Sequence, residues 1–278
     1  MKKPAPQGKT LGKFSGRLLL VGAGKMGQAM LDGWIARGLA PKQVDVIEPH
    51  AASAVQALTR RGLRLNPNKP SEAAAIVIAV KPQTAPEAVP PLAAHAGKDT
   101  LVLSIMAGRT IGFLEKSLPE AAIVRAMPNT PAAIGRGISV AVPNAKVSAG
   151  QRTLASVLLE AIGKVEWVAD EGLMDAVTAV SGSGPAYVFL LAEAMTEAGV
   201  AAGLPAALAA RLARETVAGS GELLHRSDID AATLRENVTS PGGTTAAALE
   251  VLMGPGGFDE LLRKAIAAAT RRGRELAG

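Results

Sequence analysis

Three glycines near the start of the chain are spaced to hold a phosphorylated ligand. The stretch LLLVGAGKMG places Gly22, Gly24 and Gly27 after an apolar run and before a helix-forming segment. In a dinucleotide-binding loop, the first glycine allows a tight turn, the second lets a pyrophosphate approach, and the third lets helix and strand pack closely. The helix N-terminus then faces the phosphates. We predict a dinucleotide site here, with a purely structural turn as the alternative. The predicted cofactor contacts are Gly22, Ala23, Gly24, Lys25, Met26 and Gly27.

Glu48 could select between the two nicotinamide cofactors. It ends the second predicted strand, VDVIEP, 21 residues after Gly27. A carboxylate at this position accepts hydrogen bonds from a ribose 2′-hydroxyl and repels a 2′-phosphate. No Arg or Lys follows closely, only Pro49 and His50. We therefore predict that NADH is favoured over NADPH, and the alternative is a solvated glutamate at a strand end.

Two further strand ends could reach the same ligand, because ligands of open α/β sheets sit at the carboxyl ends of the strands. Lys81 follows the apolar run of AAAIVIAVKPQ, where it could meet the cofactor or an acidic substrate. Two prolines stiffen the chain around Asn129 in RAMPNTPA, which we predict near the nicotinamide. A solvated lysine and a rigid turn are the respective alternatives. The predicted contacts in these segments are Ala79, Val80, Lys81, Pro82 and Asn129.

Two glycine-containing interruptions lie in the second half of the chain. SGSGP, residues 181–185, is either a plain helix–helix turn or a segment that brings N–H groups and hydroxyls to a ligand. In SPGGTT, residues 240–245, the two glycines lack a Cβ and so leave the backbone accessible to a ligand. The two threonines offer N–H groups and hydroxyls that can cap a helix. A carboxylate bound there would gain about 1.5–3 kcal/mol per charge-assisted hydrogen bond and about 0.3–2 kcal/mol from the helix dipole. We predict carboxylate binding, with simple helix initiation as the alternative. The predicted substrate contacts are Ser240, Gly242, Gly243, Thr244 and Thr245.

The elements that must position these residues fall into two parts. Continuous apolar runs predict strands at 17–21, 44–47, 75–80, 101–105, 123–126, 138–142 and 164–168. Alternation with helical stretches indicates a doubly wound, Rossmann-type α/β domain with a parallel sheet. After Asp170 we expect helices only, with breaks at 181–185, 203–205, 219–221, 240–243 and 254–257. We predict a disordered basic tail over 1–16, a dinucleotide-binding domain over 17–168 and a helical dimerisation and substrate domain over 169–278.

Composition and charge exclude several classes of protein. Of the net charge of +6, the first 17 residues contribute +5, since the rest of the chain carries 25 basic against 24 acidic residues. With aromatic residues at 3%, this distribution argues against nucleic-acid binding. No apolar run is long enough to span a membrane, and we expect a cytoplasmic protein. The chain has no Cys and only three His, none in ligand-like spacing, so we predict no metal site.

Taken in order, these motifs resemble the pyrroline-5-carboxylate reductase family over essentially the whole chain after about residue 17. The matching segments are VGAGKMG, AVKP, RAMPNTPA, SGSGPAYVF and SPGGTT. The resemblance implies NAD(P)H-dependent reduction of 1-pyrroline-5-carboxylate to L-proline, the last step of proline biosynthesis. It also implies homodimers that assemble into larger rings, commonly decamers. The family's counterpart of residues 240–245 receives the substrate carboxylate, and Asn237 matches a position near cofactor and substrate.

Two departures from the family pattern bear on the site. Arg235-Glu236 replaces a usual Lys-Asp and keeps the charges, whereas Glu48 replaces a small hydroxyl residue that can meet a 2′-phosphate. Glu48 therefore favours NADH. For the reaction, Thr245 is the candidate catalytic residue. Because the pKa of a hydroxyl is far too high for a free acid, we expect Thr245 to orient the substrate nitrogen rather than protonate it.

Two other functions are compatible with parts of the pattern. A hydroxyacid-type reductase would place a Lys, and an Asn one turn later, on the first long helix after the α/β domain, but residues 185–198 contain neither. A nucleotide-sensing protein on this scaffold would bind NADH without turnover.

Overall fold

The computed structural model describes residues 10–68 and 71–277. The chain divides into two compact units, the first formed by Met1–Gly182 with Thr270–Gly278 and the second by Ser183–Ala269. This division lies later than the predicted boundary at residue 168. The reason is that Met174 and Ala179 are buried in the first unit, with at most 1% of their surface exposed. The segment after the last strand therefore still belongs to the α/β core.

An eight-stranded sheet forms the centre of the first unit. Its strands are β1 Leu18–Val21, β2 Val44–Ile47, β3 Arg64–Leu65, β4 Ala75–Ile78, β5 Leu101–Ser104, β6 Ala122–Met127, β7 Gly137–Pro143 and β8 Gly163–Trp167. All seven predicted strands are present, with ends shifted by a residue or two. The additional strand, β3, has only two residues, which is too short to show a pattern in the sequence.

The strand order is β3-β2-β1-β4-β5-β6-β7-β8. The chain leaves β1 towards β2 and β3, then returns to pair β4 with the other side of β1. This reversal places a ligand-binding switch point between β1 and β4 at the carboxyl ends of the strands. The doubly wound fold is thereby confirmed.

The parallel sheet was predicted correctly only as far as β6, because β7 runs antiparallel to it. The connection between these strands contains a single 3₁₀ turn, Thr130–Ile134. A parallel crossover normally needs a dozen or more residues and a helix, so this short connection reverses the chain. The final strand, β8, is again parallel to β7.

Apolar clusters cover both faces of the sheet. Leu18 and Leu20 belong to one cluster, whereas Leu19 and Val21 belong to the other. Successive side chains of a strand point to opposite faces, so continuous apolar runs are what a sheet buried on both sides requires. The helices of this unit are α1 Lys25–Ala36, α2 Ser53–Ala57, α3 Ala85–Ala88, α4 Ile111–Ser117, α5 Ala149–Glu160 and α6 Met174–Val177.

The predicted tail needs a correction at its C-terminal end. Residues 1–9 lie outside the described residues, but Leu11 is 2% exposed and packs into the core. Its N–H donates to the Arg37 carbonyl (2.9 Å), and the Thr10 hydroxyl donates to the same oxygen (3.0 Å). Residues 10–16 therefore belong to the first unit and not to a disordered tail.

Among the described residues of the second unit, helices are the only regular secondary structure, and short loops connect them. The helices are α7 Gly184–Ala201, α8 Ala206–Arg226, α9 Ala231–Asn237, α10 Thr244–Leu252 and α11 Phe258–Ala277, of which the last turns of α11 belong to the first unit. Pro185 lies in the first turn of α7, and Pro205 is the N-cap of α8. Asp230 caps α9, and the hydrogen bond from the Thr233 N–H lowers the pKa of its carboxyl.

The predicted helix break at 219–221 is wrong, because both glycines lie inside α8. A glycine in a helix interior costs about 0.5–1 kcal/mol relative to alanine, which the helix tolerates. A Cβ on Gly219 or Gly221 would meet nothing within 4 Å, so both glycines leave the helix backbone exposed at the surface of the chain.

Large apolar side chains are also exposed in this unit, including Phe189 (64%) and Val251 (76%). Within the described residues, no helix combines the length and the apolarity needed to cross a bilayer.

Candidate active site

The glycine loop follows β1, and its three glycines have different surroundings. Gly22 has φ +92°, and a Cβ there would lie 2.7 Å from the Ala79 carbonyl oxygen. A Cβ on Gly27 would lie 2.2 Å from the Gly22 carbonyl oxygen. By contrast, a Cβ on Gly24 would meet nothing within 4 Å. Gly22 and Gly27 thus permit backbone-to-backbone packing, whereas Gly24 leaves open space in which a phosphate could approach.

The N-terminus of α1 completes this anion-binding surface. Gly24 is the N-cap and offers no side chain, so no side chain of the described residues caps the helix. The first turn contains no acidic residue, and Lys25 is exposed. Unpaired N–H groups and the helix dipole favour an anion here. The loop therefore fits the pyrophosphate of a dinucleotide. Met26 is half-buried against the core, and its contact with a cofactor stays a prediction.

Glu48 lies directly beyond β2, with its carboxylate against the glycine loop. Its Oε2 accepts a hydrogen bond from the Ala23 N–H (2.9 Å), and its Oε1 accepts one from the His50 N–H (3.0 Å). The structure thus brings together two residues that the sequence separates by 25 positions. This carboxylate therefore places negative charge beside the predicted phosphate site, and its contact with a ribose stays a prediction.

Asn66 supports Glu48, and sequence analysis missed it. Its Oδ1 accepts a hydrogen bond from the Glu48 N–H (2.8 Å), and its Nδ2 donates to the Glu48 carbonyl (3.0 Å). The available signal was an Asn-Pro pair, which is typical of a chain turn. Nothing in the sequence showed that this turn follows a strand paired with β2.

The segment after β4 lies next to the glycine loop. The Ala79 N–H donates to the Val21 carbonyl (2.7 Å), which holds the two strand ends together. Val80 packs against an apolar cluster, and the Lys81 side chain is exposed. The Pro82 carbonyl accepts a hydrogen bond from Nε of Arg109 (3.0 Å), a neighbour that sequence analysis missed. Cofactor contacts by Val80, Lys81 and Pro82 stay predictions.

Asn129 connects two of the predicted motifs. Its Oδ1 accepts a hydrogen bond from the Ile138 N–H at the start of β7 (3.0 Å), and its Nδ2 donates to the Ser181 hydroxyl (3.3 Å). Ser181 lies in a π-helical turn, Thr178–Gly182, that leads from α6 towards α7. The SGSGP segment is therefore a helical irregularity and not a plain helix–helix turn. Such π turns are frequent at functional sites.

The turn SPGGTT begins α10 without a side-chain cap. Gly242 has φ +68°, and the Gly243 N–H donates back to the Ser240 carbonyl (3.0 Å). Gly243 is the N-cap, so Thr244 and Thr245 are the first helical residues and their hydroxyls do not cap the helix as predicted. The first turn contains no acidic residue. N–H groups of a helix's first turn lack intrahelical partners, so this turn offers donors to an anion.

The predicted site residues fall into two sets. The cofactor contacts from Gly22 to Asn129 belong to the first unit, whereas Asn237 and the turn 240–245 belong to the second. Asn237 is the last residue of α9 and is exposed. Among the described residues, no group of three or more His, Cys, Asp or Glu side chains could hold a metal ion.

Comparisons with known proteins cover nearly the entire chain. Residues 171–276 match the family model described as pyrroline-5-carboxylate reductase dimerisation, and residues 17–108 match that described as NADP oxidoreductase, coenzyme F420-dependent. The chain is 41% identical to a pyrroline-5-carboxylate reductase of Synechocystis sp., covering 94% of this chain and 98% of the relative. It is 39% identical to that of Pseudomonas aeruginosa, covering 94% and 97%.

Two solved structures are similar over the same extent. The pyrroline-5-carboxylate reductase of Coxiella burnetii has a TM-score of 0.86 and 34% identity, covering 95% of this chain and 99% of that one. A pyrroline carboxylate reductase of Plasmodium falciparum with NADP bound has a TM-score of 0.79 and 29% identity, with the same coverage. Because relatives and solved structures of this family match the chain over more than nine tenths of its length, the chain belongs to the pyrroline-5-carboxylate reductase family.

Proposed function

We propose that this protein reduces 1-pyrroline-5-carboxylate to L-proline, the last step of proline biosynthesis. The observation that carries the proposal is the similarity to pyrroline-5-carboxylate reductases over 94% of the chain. The two sets of site residues agree with it, since one fits a dinucleotide and the other fits a small acid. The reaction requires a bound pyridine nucleotide as the hydride donor and a bound cyclic imine as the hydride acceptor.

The turn before α10 binds the substrate carboxylate in this proposal. Ser240, Gly242, Gly243 and Thr244 supply hydroxyl and backbone donors, and the helix dipole adds to the attraction. The positive φ of Gly242 and the absence of a Cβ let the carboxylate approach the main chain. The absence of a side-chain cap on α10 leaves the first-turn N–H groups for the ligand.

Thr245 orients the ring nitrogen of the substrate. Its side chain follows the carboxylate-binding N–H groups along the first turn of α10 and is half-buried. A protonated imine has an electrophilic carbon, so a hydroxyl that holds the nitrogen in one direction also fixes that carbon. Positioning of this kind can contribute about 7–11 kcal/mol when two reactants are held in line.

The cofactor is a pyridine nucleotide, which supplies the hydride when bound. The glycine loop and the α1 N-terminus hold its phosphates, and Glu48 accepts hydrogen bonds from the adenosine ribose. We propose NADH as the preferred form, because a 2′-phosphate would lie against the Glu48 carboxylate. Asn129, Lys81 and Asn237 complete the proposed contacts.

The protein acts as a homo-oligomer. Its helical unit matches a dimerisation domain, and this unit exposes large apolar side chains such as Phe189 and Val251. Exposed apolar surface of this kind marks an interface between proteins. We propose a homodimer as the basic assembly and a decamer as the complete ring.

Measuring proline formation from pyrroline-5-carboxylate with NADH and NADPH side by side tests this function. We expect turnover with both cofactors and a higher kcat/KM with NADH. A panel of 2-hydroxy acids serves as the control, and oxidation of these without proline formation would contradict the proposed reaction. A preference for NADPH of about tenfold or more, some 1.4 kcal/mol, would contradict the role of Glu48.

A further inference from the structure

Asn66 holds the chain at the point where the edge strand β3 separates from its neighbour β2. Its own N–H donates to the Val46 carbonyl (2.7 Å), which extends the pairing of β2 with β3 by one residue. Beyond this bond, the Asn66 side-chain amide makes the hydrogen bonds to the residue after β2 that the backbone of a further β3 residue would otherwise make. It accepts from the Glu48 N–H (2.8 Å) and donates to the Glu48 carbonyl (3.0 Å). One side chain therefore satisfies both backbone polar groups of Glu48.

This arrangement depends on an unusual backbone conformation. Asn66 has φ +46°, and it is the one non-glycine residue in the described part of the chain with positive φ. Asparagine adopts this left-handed conformation more readily than most residues, because its short amide can bond locally. Non-glycine residues persist in this region when the surrounding contacts demand it. The contacts that demand it here are those with Glu48.

The Glu48 carboxylate is fixed from its other end as well. Its two oxygens accept the N–H groups of Ala23 and His50. Contacts within the chain therefore hold both the backbone and the carboxylate of Glu48. A ribose diol would meet an acceptor that needs no further ordering, and a 2′-phosphate would meet a charge that cannot move aside.

We propose that Asn66 is a positioning residue that sets the preference for NADH by holding Glu48 in place. This inference rests on the proposed function, because it assumes that the glycine loop binds a pyridine nucleotide. It goes further by assigning cofactor selectivity to a pair of residues instead of Glu48 alone.

Cofactor binding to purified variants tests the proposal without using the substrate. Asn66→Gly keeps the positive φ and removes both amide hydrogen bonds, and since Asn66 is exposed, no cavity is left. We expect the Kd for NADH to rise about fivefold, the order expected for weakening one hydrogen-bonded contact. The Kd for NADPH should stay unchanged or fall, and the midpoint of thermal unfolding serves as the check on folding.

A double-mutant cycle shows whether Asn66 acts through Glu48. In the Glu48→Gln background, Asn66→Gly should no longer change the ratio of the two Kd values. Ser71→Ala is the matched control, because it removes only a hydroxyl that accepts from Arg64 on the same edge of the sheet (2.9 Å). We expect this control to leave both Kd values unchanged.

Three results would overturn the inference. Asn66→Gly could weaken both cofactors equally, its effect could persist in the Glu48→Gln background, or Glu48→Gln could itself leave the ratio unaltered. Each is distinguishable from failure of the proposed function, which would appear as an absence of proline formation by the wild-type protein.

Discussion

Glu48 lies beside the loop that we propose binds the cofactor phosphates, where its negative charge would repel them unless another contact with the cofactor compensates. At 2.9 Å from the Ala23 nitrogen, it occupies a donor of the loop itself. The compensation in our account is the ribose, whose hydroxyls donate to the same carboxylate. In NADPH, a 2′-phosphate replaces the 2′-hydroxyl that would donate to Glu48. The same carboxylate would therefore favour the binding of NADH and oppose the binding of NADPH.

The role of Thr245 leads to a prediction at the same scale. Thr245→Ala removes the hydroxyl that we propose orients the substrate nitrogen, so we expect kcat to fall about ten- to a hundredfold, in line with the loss of a hydrogen bond to a charged group. The Kd for NADH should stay nearly the same, because the cofactor contacts of our proposal lie elsewhere.

Thr245→Ser is the matched control for this variant. It keeps the hydroxyl, and we expect it to recover most of the turnover. Unchanged turnover in Thr245→Ala would show that the hydroxyl has no such role.

At the scale of elements, the glycine loop shows how one motif combines folding and binding. The backbone contacts at Gly22 and Gly27 fix the angle at which α1 leaves β1, whereas Gly24 contributes only open space. Glycine therefore permits close backbone packing at two positions, and at the third we propose that it gives the ligand access to the backbone. Substitution can separate these roles.

Gly27→Ala and Gly24→Ala form a matched pair. A Cβ at Gly27 would collide with backbone at 2.2 Å, so we expect a loss of about 1–3 kcal/mol in unfolding free energy. A Cβ at Gly24 collides with nothing in the chain and suits its φ of −66°, so stability should stay within about 0.5 kcal/mol of wild type.

Urea unfolding and NADH titration measure both variants. Gly24→Ala should nevertheless weaken NADH binding, because its methyl group projects into the space for the pyrophosphate. Normal NADH affinity in a stable Gly24→Ala protein would contradict the location of the phosphate site.

The π turn Thr178–Gly182 gives a second prediction at this scale. Asn129→Ala removes both the acceptor for the Ile138 N–H and the donor to Ser181, so we expect a loss of about 1–3 kcal/mol in unfolding free energy. Ser181→Ala removes only the longer of the two bonds (3.3 Å) and should cost less. Denaturant unfolding of the two variants compares these costs, and an equal or larger loss for Ser181→Ala would show that the Ile138 bond is unimportant.

The elements also show what could be predicted from the sequence. Apolar runs such as 75–80 identified every strand long enough to show a pattern, and the glycine motifs at 22–27 and 240–245 were correctly placed at the starts of α1 and α10. Anion binding by these two turns stays a prediction. The strand β7 was predicted, but its antiparallel direction was not, because that direction depends on the short connection after Asn129, which reverses the chain. Asn66 was missed because its role arises from pairing with β2, a contact between segments that no local pattern records. Gly219 and Gly221 were misread because a long helix tolerates residues that would end a short one.

At the scale of the whole molecule, the exposed apolar side chains of the helical unit call for a partner. Phe189→Asp places a charge on this surface of α7, where Phe189 is 64% exposed in the single chain. Burying an unpaired carboxylate in an interface is costly, so we expect the oligomer to dissociate. Light scattering after size-exclusion chromatography measures the mass.

Arg263→Ala is the control for this experiment. It breaks only an exposed ion pair with Asp259 (2.9 Å), and such pairs contribute about 0–1 kcal/mol. The assembly should keep its mass in this variant. An unchanged mass for Phe189→Asp would show that this face of α7 lies outside the interface.

Helix α11 belongs to both units, and its last turns return to the α/β part of the chain. A Cβ on Gly273 would lie 3.1 Å from an Asp175 carboxylate oxygen, and one on Gly108 would lie 3.5 Å from the Leu276 carbonyl oxygen. The Rossmann unit is therefore discontinuous along the gene. A fragment cut after Gly182 would lose the part of this unit that the end of α11 supplies. Grafting or swapping this domain therefore requires two splice points instead of one.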